Sequence, residues 1–473
     1  MALSRIWAAF VIVSIFVAAV MSVTRPGGKK IFSQLVTGKN TDTIASRTLD
    51  SAAVPAYVHQ QLLSEKQAVW GKDRVYRTDG GYLVFRLLPA NGIFETCKGA
   101  VEICIGLIGI MALFMGFMSI AEKAGGVRFL SRIIGPFFSK IFPGVPSGHP
   151  AHGHMVMNFS ANLMGLDNAA TPFGIKAMES LQELNPDKEK ASDAQIMFLC
   201  LHASGLTLIP VAIIAARASV KPPSANPTEI FIPCMIATFV ATVAAMLIVS
   251  YKQRINIFRR TILLWILGIS AILGGLVVYL TSLSTGALQS FSGVLSNGLI
   301  LVIFLLIVLG GLYKRINIFE AFVEGAKGGF ETAVKIIPYL VGMLVAISLL
   351  RNSGTFDVII DGFKSFFAAI GADTRFVDGL PTAIIKPLSG SGARGMMIDT
   401  MNANSTSIMS GADSFAGRLA CILQGSSDTT FYVVAVYFGA VGIKNTRYSI
   451  GAMLLADLVG IITSIALAYI FFG

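Results

Sequence analysis

The chain has 473 residues, of which 54% are hydrophobic and 13% charged, with a mean hydropathy of +0.72 and a formal net charge of +11. Soluble domains carry about 25% charged residues, so this composition excludes an ordinary soluble protein. The positive balance does not point to nucleic acid, because no basic cluster is interleaved with aromatics in a soluble stretch, and membrane proteins gather Lys and Arg in cytoplasmic loops.

The apolar runs are long and continuous, which selects helices over a membrane barrel. Residues 6–23 form the first, behind Arg5, and offer no clean small-x-small cleavage site, so they read as an uncleaved anchor. A polar, mixed-charge segment follows to residue 95 without a recognisable motif. Further spans are predicted over 100–121, 195–216, 231–250, 262–280, 298–313, 333–350, 417–440 and 450–472. The apolar pieces 127–142 and 356–370 are too short to cross comfortably and read as interfacial or re-entrant helices. Loops 251–260, 313–320 and 443–449 are basic and are assigned to the cytoplasm, whereas 281–297 is uncharged and assigned outside together with 24–95. Cys97, Cys104, Cys200, Cys234 and Cys421 lie in or beside apolar segments and imply neither a disulfide framework nor a metal site.

The chain also repeats itself. CLHASGLTLIPVA (200–212) lies over ILQGSSDTTFYVV (422–434), which sets His202 opposite Gln424, Ser204 opposite Ser426 and Thr207 opposite Thr429. The short helices, the polar glycine-containing stretches 158–178 and 383–401, and the spans 231–250 and 450–472 follow the same order. Polar backbone at membrane depth survives only where protein or a water-filled cavity surrounds it. Two such stretches in corresponding halves point to a solute site at a repeat interface. If each copy crosses an odd number of times, the copies are inverted; a parallel repeat is the alternative.

Candidate binding residues fall in these stretches. In the first copy they are Asn158, Ser160, Asn162, Asn168 and Thr171, with Thr171-Pro172 reading as a helix start. In the second, Ser389, Ser391 and Arg394 sit in GSGARG, where glycines let backbone N–H groups converge on an anion. An arginine at that depth needs a partner, either an anionic solute or an acid such as Asp167, Asp399 or Asp428. Gln424, Ser426, Ser427, Asp428 and Thr429 add a polar patch inside an apolar span. Asp428, Asp457 and Asp167 are the candidate ion-coupling carboxylates. The bland alternatives are polar residues gluing helices together, a structural Arg–Asp pair, and Asp428 as a helix cap. His149, His152 and His154 lack a neighbouring carboxylate or cysteine, so no metal site is expected. No GxSxG, HExxH or P-loop occurs; no cofactor and no enzymatic activity are expected.

MNFSANLMGLDNAATPFGIKAM resembles the signature of spore maturation protein A, and PLSGSGARGM with GSSDTTFYVVAVYFGAVGIKNTRY resembles that of spore maturation protein B. The resemblance runs from about residue 90 to the end and is to the fused form of the family. It implies Gate, or nucleoside-recognition, domains, which also occur in concentrative nucleoside transporters and in ferrous-iron transporters. The family motifs fall on Asn158, Asn162, Asn168, Thr171 and Pro172, then on Pro387, Ser389, Gly390, Ser391, Arg394 and Gly395, and on Gly425, Ser426, Asp428, Thr429 and Thr430. His149-Pro150-Ala151 also resembles the pattern, whereas Asp167 stands where a small residue is expected.

The expected fold is an all-α polytopic membrane protein built from two Gate-type repeats, inverted, with re-entrant or broken helices. Its expected parts are an anchor (1–23), a polar extracytoplasmic segment (24–95), a first repeat (96–251), linking transmembrane helices (252–324) and a second repeat (325–473). The expected function is an inner-membrane transporter for a small solute, with or without a coupling ion, in contact with the bilayer and open to homo-oligomer formation. A non-transporting scaffold or assembly partner in envelope or spore maturation is the alternative.

Overall fold

The structure, a computed structural model, describes all residues except 1, 25–29, 50–53, 56–57, 61, 63–67, 71–72, 79–80, 89, 164–166, 208, 221–222, 284 and 403–410. Helix α1 (Ala2–Thr24) is the leading apolar run, and the short α2 (Ile31–Thr37) follows it. The polar segment then forms a four-stranded antiparallel sheet: β1 (Thr43–Leu49), β2 (Ala68–Trp70), β3 (Asp73–Thr78) and β4 (Gly81–Leu87), in the order β1-β4-β3-β2. Val58, Val75, Tyr82 and Val84 make a small core for it. No motif marks these strands in the sequence, because their alternation is short and interrupted by charge.

The first copy comprises α3 (Ile93–Lys123), α4 (Gly126–Ile141), α5 (Pro150–Leu163), α6 (Asp167–Glu183), α7 (Asp193–Ala203), α8 (Val211–Ser219) and α9 (Phe231–Gln253). Helices α10 (Arg260–Thr281) and α11 (Thr285–Tyr313) link it to the second copy. That copy comprises α12 (Ile318–Asn352), α13 (Thr355–Ala369), α14 (Leu380–Ile385), α15 (Gly390–Met401), α16 (Phe415–Gly425), α17 (Thr430–Val433), which runs into a π turn at Val434–Phe438, and α18 (Ser449–Phe472). By length and composition, seven helical stretches among the described residues suffice to cross a bilayer.

The two copies share their punctuation. Each long first helix ends in a glycine with left-handed backbone, Gly125 (φ 86°) and Gly354 (φ 74°), which turns the chain into a short helix. Those short helices, α4 and α13, have 16 and 15 residues and reach only about 24 Å, under the roughly 30 Å of a bilayer core. Serines start the equivalent helices α7 and α16: Ser192 Oγ accepts from Gln195 N, and Ser414 Oγ accepts from Gly417 N at 3.0 Å.

Equivalent helices pack against one another, and they run antiparallel. A Cβ at Gly329 of α12 would stand 2.7 Å from Ala112 Cα of α3, and one at Gly325 would collide with Met115 O. Gly325 and Gly329 form a GxxxG pair that lets the two backbones approach closely. Position 112 thus meets 329 while 115 meets 325, so the helices run in opposite directions. The pair α9 and α18 does the same: Gln253 Nε2 donates to the Tyr448 hydroxyl at 2.9 Å, and Ala241 faces Gly460. Antiparallel pairing of equivalent helices means that the two copies are inverted.

Three predicted elements differ. The span predicted over 195–216 is two short helices, α7 and α8, with the chain breaking at Ser204–Pro210, where Gly205 (φ 62°) and Pro210 stop the helix. The span over 417–440 likewise breaks between Gly425 and Thr430. Residues 281–297, read as a loop, are helical from Thr285 onward, since nothing there resembles a proline stop.

Candidate functional site

The two breaks meet. Asp428 N donates to Ala203 O at 2.7 Å, tying the second break to the last turn of α7, and a Cβ on Gly205 would come within 3.3 Å of Asp428 N. The hydroxyls just after each helix make the same local bond, Ser204 Oγ to Leu201 O at 2.8 Å and Ser426 Oγ to Leu423 O at 2.9 Å. Repeat-matched residues therefore occupy matched positions.

Around this crossing lies a cavity of about 420 Å³ lined from both copies. The first copy contributes Asn162, Thr171, His202, Gly205 and Thr207, and the second contributes Lys386, Gly390, Arg394, Gln424, Ser427, Asp428 and Thr429. Tyr432, 55% exposed, stands at its rim, and Tyr437 is buried in its wall. His202 and Gln424, each the second-last residue of its helix, both face the cavity.

The polar wall is held in place by a chain of short bonds. His202 Nδ1 lies 2.7 Å from Asn162 Nδ2 and 3.1 Å from Asn158 Oδ1; one tautomer accepts from the first amide, the other donates to the second. Its ring meets Tyr437 edge-on at 4.7 Å, and the Tyr437 hydroxyl bonds the Thr171 and Asn158 side chains. His202 Nε2 lies 3.9 Å from Asp428 Oδ2. Asp428, half exposed into the cavity, also accepts from Thr429 N at 2.7 Å, but it is not the expected helix cap, since Thr429 holds that position and no side chain caps the helix.

Of the candidate residues, Asn162, Thr171, Arg394, Gln424, Ser427, Asp428 and Thr429 line the cavity. Others stand behind it. Asn158 is fully buried and donates from Nδ2 to Ala170 O at 2.6 Å, and Ser160 lies 3.3 Å from the Ser131 hydroxyl. Ser389 caps α15 by accepting from Gly392 N at 2.9 Å, with the Ser391 hydroxyl 3.3 Å away, while Ser426 is spent on Leu423 O. Asp457 accepts from Thr430 Oγ1 at 2.7 Å within the second copy. The side chains of Asp167 and Asn168 lie outside the described residues.

Two local readings need correction. GSGARG is not an anion-binding loop but the first turns of α15, because Ser389 supplies a cap that starts the helix there. Thr171-Pro172 is not a helix start: α6 begins at Asp167, and Pro172 sits inside its second turn, where it forfeits one backbone bond. Asp399, one proposed partner of Arg394, is instead engaged by Arg351 Nε at 2.6 Å. The three histidines near residue 150 diverge to separate neighbours: His152 Nε2 is 3.2 Å from Val145 O, and His154 Nδ1 is 2.9 Å from Ser180 Oγ. Among the described residues no three His, Cys, Asp or Glu side chains converge as a metal set.

His202, Lys386 and Tyr437 were not among the candidates. The repeat alignment had already set His202 opposite Gln424, and Lys386 is an isolated cation in an apolar run, a signal of the kind that marks function in membranes. Nothing in the sequence separates Tyr437 from the aromatics that only pack.

Beyond the cavity, the copies are tied at both ends. At one end Arg217, fully buried, donates to Glu229 Oε1 (2.5 Å), Asp413 Oδ1 (3.0 Å) and Ala412 O (2.7 Å), and Arg418 Nε donates to Glu229 Oε1 at 2.7 Å. Ser224 and the Ala225 amide add bonds to Asp413. At the other end the loop before α7 pairs with the loop before α18: Ala191 N donates to Asn445 O at 2.9 Å, Lys444 Nζ to Glu189 Oε1 at 2.5 Å, and Arg447 Nη1 to Asp193 Oδ1 at 2.7 Å.

Fold and cavity together define a multi-pass membrane protein of two inverted copies whose broken helices cross at a polar centre. Comparison with known proteins gives the family. The Gate family, described as nucleoside recognition, matches residues 104–220 and 333–444. Spore maturation protein B of Bacillus subtilis is 48% identical over 179 residues, which is 38% of this chain and 96% of that protein. Spore maturation protein A of the same organism is 42% identical over 161 residues, 34% of this chain and 81% of that protein. The chain belongs to the spore maturation protein A/B family of Gate-domain membrane proteins. Among solved structures, the YdaH transporter of Alcanivorax borkumensis aligns over 84% of this chain and 92% of its own at 15% identity, with a TM-score of 0.40; at that score the likeness carries no argument.

Proposed function

We propose that this chain binds a small polar solute in the cavity between its two copies and moves it across the inner membrane. The observation that carries this reading is the meeting of the two helix breaks at a polar cavity lined from both copies. About 420 Å³ lies within the roughly 300–1,000 Å³ of small-molecule sites. Asn162, Thr171, Gln424, Ser427 and Thr429 supply hydrogen bonds, Arg394 supplies a planar fork of donors, and Asp428 beside His202 is the candidate site for a coupling ion. No nucleophile–base pair is part of this reading, which is that of a non-enzymatic carrier.

The relatives are named for maturation rather than transport, and the extramembrane sheet offers a docking element. These favour the second reading, a scaffold or assembly partner. Purified protein in liposomes, screened against a panel of small polar solutes, separates the two. Transport predicts uptake that Arg394→Lys cuts at least tenfold while the protein stays folded, because Lys keeps the charge but loses the fork. A folded protein that moves no solute, or uptake unchanged by Arg394→Lys and Arg394→Ala, refutes the role given to this cavity.

A further inference from the structure

The repeat places different chemistry at matched positions. His202 and Gln424 end equivalent broken helices, one residue from the last, and both line the cavity. Both side chains form hydrogen bonds, but only the imidazole exchanges a proton near neutral pH. Facing it is Asp428, from the break of the other copy. Its Oδ1 accepts from Thr429 N, while its Oδ2 lies 3.9 Å from His202 Nε2. The histidine is buried and the carboxylate is 45% exposed, so the pair leads from the protein interior into the cavity.

Bonding around the ring decides which nitrogen is basic. Asn158 Nδ2 donates to Ala170 O at 2.6 Å, which fixes that amide and turns its Oδ1 toward His202 Nδ1 at 3.1 Å. A carbonyl oxygen only accepts, so it holds the ring proton on Nδ1 and leaves a lone pair on Nε2. Asn162, 2.7 Å from the same Nδ1, meets that proton with its own carbonyl once its amide turns over. Tyr437 closes the ring edge-on, and Lys386 and Arg394 are the other charges of the wall. Behind them the buried Asp457, bonded by Ser427 and Thr430, acts on Lys386. A hard metal cation takes several oxygen ligands, whereas the group set against Asp428 Oδ2 is a nitrogen.

We propose that the coupling ion is a proton and that Nε2 of His202 carries it. The proton enters from the cavity past the Asp428 carboxylate and adds to the Nε2 lone pair. The product is an imidazolium whose Nδ1 still donates to Asn158. Charge then draws Nε2 and Oδ2 together from 3.9 Å into a hydrogen bond. That bond clamps the second break onto α7, where Asp428 N already holds Ala203 O. Loss of the proton releases the clamp. A glutamine at position 202 would bond its neighbours without switching, which is the chemistry the second copy keeps at Gln424. The inference rests on the reading of the cavity as a solute site, and it names the ion that drives that site.

Two measurements test it. Nitrogen NMR of full-length protein carrying isotope-labelled histidine reports the tautomer, and the signal of His202 is the one that His202→Gln removes. Above the range in which histidine titrates, the expected ring carries its proton on Nδ1 and none on Nε2. The reverse tautomer overturns the inference. In liposomes with the membrane potential clamped at zero, a gradient of about one pH unit should drive the transported solute to about tenfold accumulation in one direction, at one proton per solute. His202→Gln, confirmed folded by its thermal transition, should erase the effect of the gradient, and Asp428→Asn should weaken it. A solute that the wild type moves without regard to the proton gradient, or under a sodium gradient instead, overturns the inference and leaves the solute site standing. So does proton-driven accumulation that persists in His202→Gln. A folded wild-type protein that moves no solute refutes the underlying reading, and the inference with it.

Discussion

Replacing Glu229 by Gln tests the buried charge network that ties the copies together. Its carboxylate is 10% exposed and accepts from Arg217 Nη2 at 2.5 Å and from Arg418 Nε and Nη2 at 2.7 and 3.1 Å. Breaking one side of a buried ion pair costs about 3–5 kcal/mol, because the remaining charge loses its compensation without regaining water. Arg217 keeps Asp413 at 3.0 Å, which places the expected loss near the lower end, at about 3 kcal/mol. Unfolding in mixed micelles titrated with SDS reads it directly. Adding Arg418→Met should recover at least half, because it removes the stranded cation while keeping a stem to pack against Phe472, over which Arg418 sits at 4.8 Å. A loss below about 1 kcal/mol, the scale of an exposed pair, or a double variant no better than the single one, refutes the reasoning.

Gly329→Leu should separate α3 from α12 and destabilise the protein by about 1–3 kcal/mol or more in the same titration, since any Cβ there meets Ala112 backbone. Gly205→Ala should cost about 1–2 kcal/mol for its left-handed backbone (φ 62°) and should weaken solute response, because the added carbon crowds Asp428 N. Acid should loosen the Arg217 end through Asp413. Burial pushes that carboxyl up, but hydrogen bonds from Ser224 and the Ala225 amide and the Arg217 and Arg418 charges outweigh it, so its pKa lies below the ordinary carboxylate value. A depressed pKa means stability that is fully present above about pH 4 and is lost as pH falls through the folded value, and Asp413→Asn should flatten that acid limb.

The architecture was legible where the sequence repeats. The alignment of 200–212 on 422–434 paired His202 with Gln424 and Thr207 with Thr429, and all four line one cavity. The short helices 127–142 and 356–370 were marked by length alone, which is a geometric limit rather than a pattern. The breaks were harder to place, since hydropathy averages over a window and Gly205 or Ser426 barely lowers it. Helix starts misled at Thr171-Pro172, because a proline within the second turn costs one bond that tertiary packing outweighs. The GxxxG at Gly325 and Gly329 is visible in the sequence but gains meaning only once its partner helix is known. Which polar residues face a cavity and which face a neighbouring helix, as with Ser427 and Ser160, is a matter of rotation about an axis that sequence does not specify.

The two end ties differ in kind, and that difference gives the molecule a weak side and a strong side. Arg217 is fully buried among its acids, whereas Lys444 and Glu189 are 75% and 67% exposed at the opposite end. Salt weakens the exposed tie within a Debye length of about 8 Å and scarcely touches the buried one. Rising ionic strength should therefore weaken the charge pairs of Lys444 and Arg447, near the basic loop after Gln253, and leave the Arg217 end unchanged.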